Sequence, residues 1–232
     1  MLTKNSKIKN SSNENNVVFN FTLPAFRSGN IQTCPNAGAC AAGCYAQMGM
    51  YVWDKVKKAH KRNLDATLMS TFVVDMSKEI ETKLKTAKRK GKQLYIRIHD
   101  SGDFYSLEYK IKWLSIIKRF PEVTFYAYTK EVNDFKKLKL MHWTPSNFTL
   151  IYSLGGKQDA SINMEYDRHA RVFENEDLLN AAGYVNASSN VLLPIIRTSY
   201  PTLMANNLVN VQPMIFGDDY WDLIGREDFD FN

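Results

Sequence analysis

The chain has 232 residues, 44% of them apolar and 12% aromatic, which excludes an intrinsically disordered protein and suits one sizeable domain. No apolar run nears the ~20 residues of a membrane-spanning helix, and the polar, Asn-rich start lacks the apolar stretch of a secretory signal. A cytoplasmic protein without a membrane partner is therefore expected. The formal charge of +6 is unevenly spread: the basic excess lies in residues 55–92, whereas residues 216–232 carry Asp218, Asp219, Asp222, Glu227, Asp228 and Asp230.

Residues 1–16 read as a flexible tail and 17–232 as a single α/β domain. Residues 17–23 alternate as a strand and stop at Pro24. A Gly- and Ala-rich loop follows, carrying Cys34, Cys40 and Cys44. Residues 54–66 suit a helix. Leu68, Phe72, Val73, Met76, Ile80 and Leu84 then recur at steps of three and four, the stripe of an amphipathic helix. Lys88, Arg89 and Lys90 complement its C-terminal dipole, and Gly91 stops it.

Residues 94–99 form the next strand and run directly into His99-Asp100-Ser101-Gly102-Asp103. Ser106 can cap a helix whose apolar face is Leu107, Ile111, Leu114 and Ile117. A strand at 123–128 closes on Thr129-Lys130, a helix spans 134–140, and a strand at 148–152 ends at Ser153-Leu154-Gly155-Gly156. Further strands are expected at 171–173 and 191–196. Strand, polar loop and helix thus alternate three times, a pattern that favours a parallel sheet whose C-terminal rim gathers the ligand-binding loops. Candidate ligand-binding residues on that rim are His99, Asp100, Ser101, Gly102, Asp103, Lys130 and Ser153.

The three cysteines have the spacing Cys-x5-Cys-x3-Cys, and the chain has no others. An odd number packed into one loop argues against a disulfide framework and for a metal site. Thiolates suit zinc or an iron–sulfur cluster. A structural zinc ion wants four closed ligands, so it would have to recruit His60, His99, His142, His169 or a carboxylate. An iron–sulfur cluster, four-iron or three-iron, can be held by three thiolates with one corner left to another ligand. The zinc alternative goes with a nucleic-acid-binding module that uses residues 55–92.

The segment CPNAGACAAGCYAQMGMY, together with IRIHDSGDFYSLEYKIKWLSIIKRFPEVTFYAYTK, resembles the phage gene-product-88 family over roughly residues 20–156. The resemblance implies an iron–sulfur protein, most naturally with a 4Fe-4S cluster on Cys34, Cys40 and Cys44. It also implies a fold similar to the radical S-adenosylmethionine core, a partial (β/α) barrel, at work in the host cell cytoplasm. A small-molecule ligand or electron donor would meet the cluster, and in the enzymatic version S-adenosylmethionine would bind at an open iron. The cysteine spacing departs from the Cys-x3-Cys-x2-Cys of the radical enzymes, and no Gly-Gly-Glu segment is present; Ser101-Gly102-Asp103 stands where a substitute would fall.

Overall fold

Short runs of β-branched and aromatic residues become the strands of one parallel sheet. The computed structural model describes residues 1–187, 190–192 and 211–212. The sheet comprises β1 (Asn16–Phe21), β2 (Gln93–Ile98), β3 (Thr124–Thr129), β4 (Phe148–Ser153) and β5 (His169–Ala170), in that spatial order and parallel at every step. Parallel neighbours need crossover connections. Two helices, α2 (Asp54–Leu68) and α3 (Phe72–Arg89), lie between β1 and β2. One helix fills each of the next two crossovers, α4 (Leu107–Arg119) and α5 (Val132–Leu140).

Side chains alternate across a strand, so the sheet has two distinct faces. One carries Phe21, Leu94, Ile96, Ile98, Phe125 and Ala127, packed against Phe72, Met76, Ile80, Trp113, Ile117 and Phe135 of the helices. Trp113 anchors this core edge-on to Phe21 and Phe72, with ring centroids 5.3 and 5.8 Å away. The second face is covered by the two ends of the described chain. Val18 and Tyr95 meet Ile8, Val191 and Leu192, while Tyr126, Tyr128, Ile151 and Ala170 meet Ala187.

Residues 1–16 are thus not a free tail. Leu2 and Ile8 are buried, Thr3 pairs with Asn20 in an antiparallel bridge, and the Leu2 N–H donates to Glu79. A short helix α1 (Ser6–Asn10) carries Ile8. Two apolar residues in a polar stretch are enough to dock it, a signal that average composition hides. The buried face of α4 is also rotated from the expected one. Ser106 does cap the helix, accepting from the Tyr109 N–H at 3.2 Å, but Leu107 and Ile111 face solvent, and the buried side is Tyr109, Lys110, Trp113, Leu114, Ile116 and Ile117.

The strand expected at 171–173 forms instead at His169–Ala170. Residues 193–196 of the strand expected at 191–196, and the acidic residues 216–232, lie outside the described residues. A last helix α6 (Glu176–Ala181) precedes a separate two-residue parallel pairing of β6 (Val185–Asn186) with β7 (Val211–Gln212). Among the described residues no helix is long and apolar enough to cross a membrane.

Candidate functional site

All five strands of the main sheet deliver their C-terminal ends to one pocket of about 180 Å³, far above the ~10–15 Å³ that holds a single water. Phe26 follows β1; Arg97 and residues 99–103 end β2; Tyr128, Thr129 and Lys130 end β3; Ser153, Leu154 and Gly155 end β4; Arg171 and Val172 follow β5. Cys34, Cys40 and Cys44 line the same pocket. Every ligand-binding and thiol residue expected from the sequence is therefore gathered around one cavity.

The cysteine loop is seated by its backbone. The N–H groups of Gly38 and Cys40 both donate to the Gly155 carbonyl at 3.2 Å, and Ala37 bridges to Gly156. A Cβ on Gly38 would stand 3.0 Å from Gly155 O and Gly156 C, so any larger residue there would push the two loops apart by a few tenths of an ångström. Asn36 Nδ2 donates to Glu131 Oε1 at 2.6 Å, and the other oxygen of Glu131 accepts from buried Lys110 at 2.8 Å. The loop is thereby tied to α4 and α5.

Burial pushes the Cys34 thiol up to about 12, the Asp103 charge adding to it, against the opposing pull of the Phe26 backbone N–H and the Lys130 ammonium. Phe26 sits in the left-handed region at φ 57°, where a bulky residue is strained, and its N–H serves the Cys34 sulfur while its carbonyl accepts from the Cys34 N–H. The Cys44 thiol is likewise raised by burial; the Ala46 N–H and the Gln47 side chain stabilise its anionic form. Among the described residues no three His, Cys, Asp or Glu groups stand close enough to share one metal ion. His60, His142 and His169 do not line the pocket.

The polar rim residues largely bind the protein itself. Asp100 pairs with Arg97 at 2.8 Å and accepts from Tyr51 at 2.7 Å and Asn5 at 2.9 Å, and its backbone carbonyl accepts from the Tyr45 hydroxyl. Ser101 donates to the Leu23 carbonyl and its own carbonyl accepts from the Leu23 N–H. Asp103 accepts from Thr129 Oγ1, the Phe104 N–H and the Lys130 N–H at 2.7, 2.7 and 2.8 Å, tying the ends of β2 and β3 together. The amides of Gly155 and Gly156, which could otherwise face an anion, donate to the Asp159 carboxylate at 2.7 and 2.9 Å. Lys130 differs: its ammonium donates to the Ser153 hydroxyl at 2.7 Å, which leaves two of its three protons for the pocket.

Sequence reasoning missed Arg97 and Tyr51 as parts of this wall. Arg97 was detectable as the one charge inside the strand LYIRI. Its guanidinium lies over the Tyr128 ring, 5.1 Å from the centroid, and among the described residues its Nε has no hydrogen-bond partner.

His99 has φ 66°, and its ring turns into the core, 4.5 Å from Phe104 and with Nε2 2.9 Å from the Tyr109 hydroxyl. Burial, and then the Arg97 charge, lower its pKa to about 3 from 6.5. The folded protein keeps His99 neutral where the unfolded chain takes up a proton. Its contribution is full above about pH 6.5 and is lost as pH falls towards 3. Asp103 acts oppositely: burial raises it to about 6 from 3.8, despite the three donors, so stability is gained as pH falls from 6 to 4. Comparison with His99→Asn isolates the histidine, since Asn tolerates left-handed backbone. The wild type should lose stability relative to that variant between pH 7 and 4.5 in chemical unfolding; a difference that does not move with pH would overturn this assignment.

A family model described as "Gene product 88" matches residues 1–213. Two curated relatives, the gene 88 proteins of Mycobacterium phages D29 and L5, are each 32% identical over 115 residues, 44% of this chain and 45% of theirs. The chain thus spans less than half the length of these relatives. No solved structure matches it. The family match takes in all five strands of the sheet and the whole thiol pocket, and the chain belongs to the gene product 88 family.

Proposed function

We propose that this is an iron–sulfur protein whose cluster is held by Cys34, Cys40 and Cys44 at the C-terminal rim of the sheet. One observation carries the reading: three thiols from a single loop open into the pocket that all five strand ends enclose. A multi-iron cluster takes each thiolate on its own iron, so it asks for thiols spread around one cavity rather than converging on one point. The surroundings suit such a group. Backbone N–H groups already serve the sulfurs of Cys34 and Cys44, and Lys130 provides a positive charge near both.

Strands in sequential order, parallel throughout and with helices packed on one face, also support the finer reading of a partial (β/α) barrel akin to the radical S-adenosylmethionine core. A bound cluster would supply one-electron chemistry. The chain's own contribution is to hold the thiols, balance the cluster's negative charge through Lys130, and leave room for a small ligand along the Arg97–Tyr128 wall.

Anaerobic purification should yield a brown protein with iron and sulfide in similar amounts and an EPR signal on reduction. Serine at any one of the three cysteines should remove most of the iron. A colourless protein with stoichiometric zinc and no sulfide would overturn the proposal. Formation of 5′-deoxyadenosine from S-adenosylmethionine by the reduced protein would separate radical catalysis from electron transfer.

A further inference from the structure

A second cavity, a groove of about 690 Å³, is lined by residues of the segments 24–28 and 46–62. Its wall carries five cations: Arg27, and Lys57, Lys58, Lys61 and Arg62 of α2. On the helix, Lys57 is followed four residues later by Lys61, and Lys58 by Arg62, which makes two rows in which like charges stand ~6 Å apart along the axis. Among the described residues only Lys61 has a carboxylate partner, Asp65, and that pair is solvent-exposed. Like charges at this spacing weaken a helix, and among the described residues only the exposed Asp65 offsets any of them. A row of anions laid in the groove would offset the rest.

Beside the cations stands an unusual set of exposed apolar residues. Trp53 is 61% exposed at the N-terminal end of α2, and Met50 and Val52 are exposed in the turn before it. Val52 itself lines the groove. An open indole one turn from a double row of cations has the makings of a stacking platform with an electrostatic track. Its ring offers a face that only an unpaired base can occupy, since bases in a duplex keep their faces stacked on one another.

We infer that this groove binds single-stranded nucleic acid, with phosphates along the two rows of α2 and a base on Trp53. The site is separate from the thiols, and the inference does not depend on what the cysteines hold. The two cavities nevertheless share a wall: Ala46 lines both, and Tyr51 in the groove donates to Asp100 of the thiol pocket.

The test is fluorescence anisotropy of a labelled oligothymidine strand on the full chain, over a range of salt, with the same-sequence duplex and heparin as competitors. Four neutralised phosphates would give a slope of log K against log salt of about −3. Glutamine at Lys57, Lys58, Lys61 and Arg62 together should flatten that slope and weaken binding at low salt by at least a hundredfold. Trp53→Ala should weaken binding about tenfold and leave the slope unchanged. All five positions are exposed, and far-UV circular dichroism should be unchanged in both variants. Absence of binding at low salt, or a quadruple variant that binds like the wild type, would overturn the inference. A duplex that competes as well as the single strand would reassign the groove to duplex. Heparin of equal affinity together with a silent Trp53→Ala would reduce it to a general polyanion surface and overturn the nucleic-acid assignment.

Discussion

Alanine at Asp100 is expected to destabilise the protein by about 3–5 kcal/mol, the usual result of removing one partner from a buried ion pair. Arg97 and Asp100 are both buried, and they contact each other at 2.8 Å; among the described residues neither has a second ion-pair partner. A guanidinium does not shed its proton, so Asp100→Ala would leave a buried charge facing the Tyr128 ring. The same change strands the Tyr51 hydroxyl and Asn5 side chain, both of which donate to Asp100 Oδ2. Set against the roughly 5–15 kcal/mol of an ordinary domain, such a loss is severe. Urea unfolding at pH 7 measures it. The double variant Arg97→Met/Asp100→Leu should recover much of the loss, because removing both charges also removes the uncompensated one. A cost below about 1 kcal/mol for Asp100→Ala would show that the pair is hydrated and that Asp100 does not hold this wall together.

Gly102→Ala should cost about 3 kcal/mol or more, through two effects that add. The residue has φ 78°, where an L side chain is strained, and a Cβ there would stand 2.6 Å from Leu23 Cβ and 3.2 Å from the Pro24 carbonyl. Leu23 is fully buried and cannot retreat. Gly91 provides the control. It has φ 63°, but a Cβ there would meet nothing within 4 Å, so Gly91→Ala should carry the backbone strain alone, about 1 kcal/mol. Thermal melts of the two variants side by side separate strain from collision. Equal shifts would mean that the Leu23 approach relaxes freely.

The strands were legible because each is a short run of β-branched and aromatic residues ended by polar turn residues, and the rim followed from their alternation with helices. What could not be read was where the polar groups of the rim spend their hydrogen bonds. Asp100 and Asp103 look like an acid–base pair in HDSGD, yet their partners are Asn5, Tyr51 and Arg97 for one and Thr129, Phe104 and Lys130 for the other. Most of these are distant in the chain. Gly155 and Gly156 look like an anion nest until Asp159, a few residues on, takes both amides. The face of α4 was misread because Lys110, polar by type, is buried against Glu131 and Asp134, which lie beyond the next strand. Arg97 went unread although it is a lone charge inside an apolar strand.

The packing of Ile8 and of residues from 187–192 on the second sheet face has a consequence for biogenesis. Helices α2 to α5 can close the first face as soon as they leave the ribosome, since each packs beside strands made just before or after it. The opposite face needs Ile8 from the start of the chain and Ala187, Val191 and Leu192 from far along it. Until Ala187 has emerged, Tyr126 and Tyr128 lack it as a packing partner, and until Val191 and Leu192 follow, Tyr95 has only Ile8 and Val18 of its cluster. Nascent chains stalled before that point should be prone to aggregation and chaperone capture.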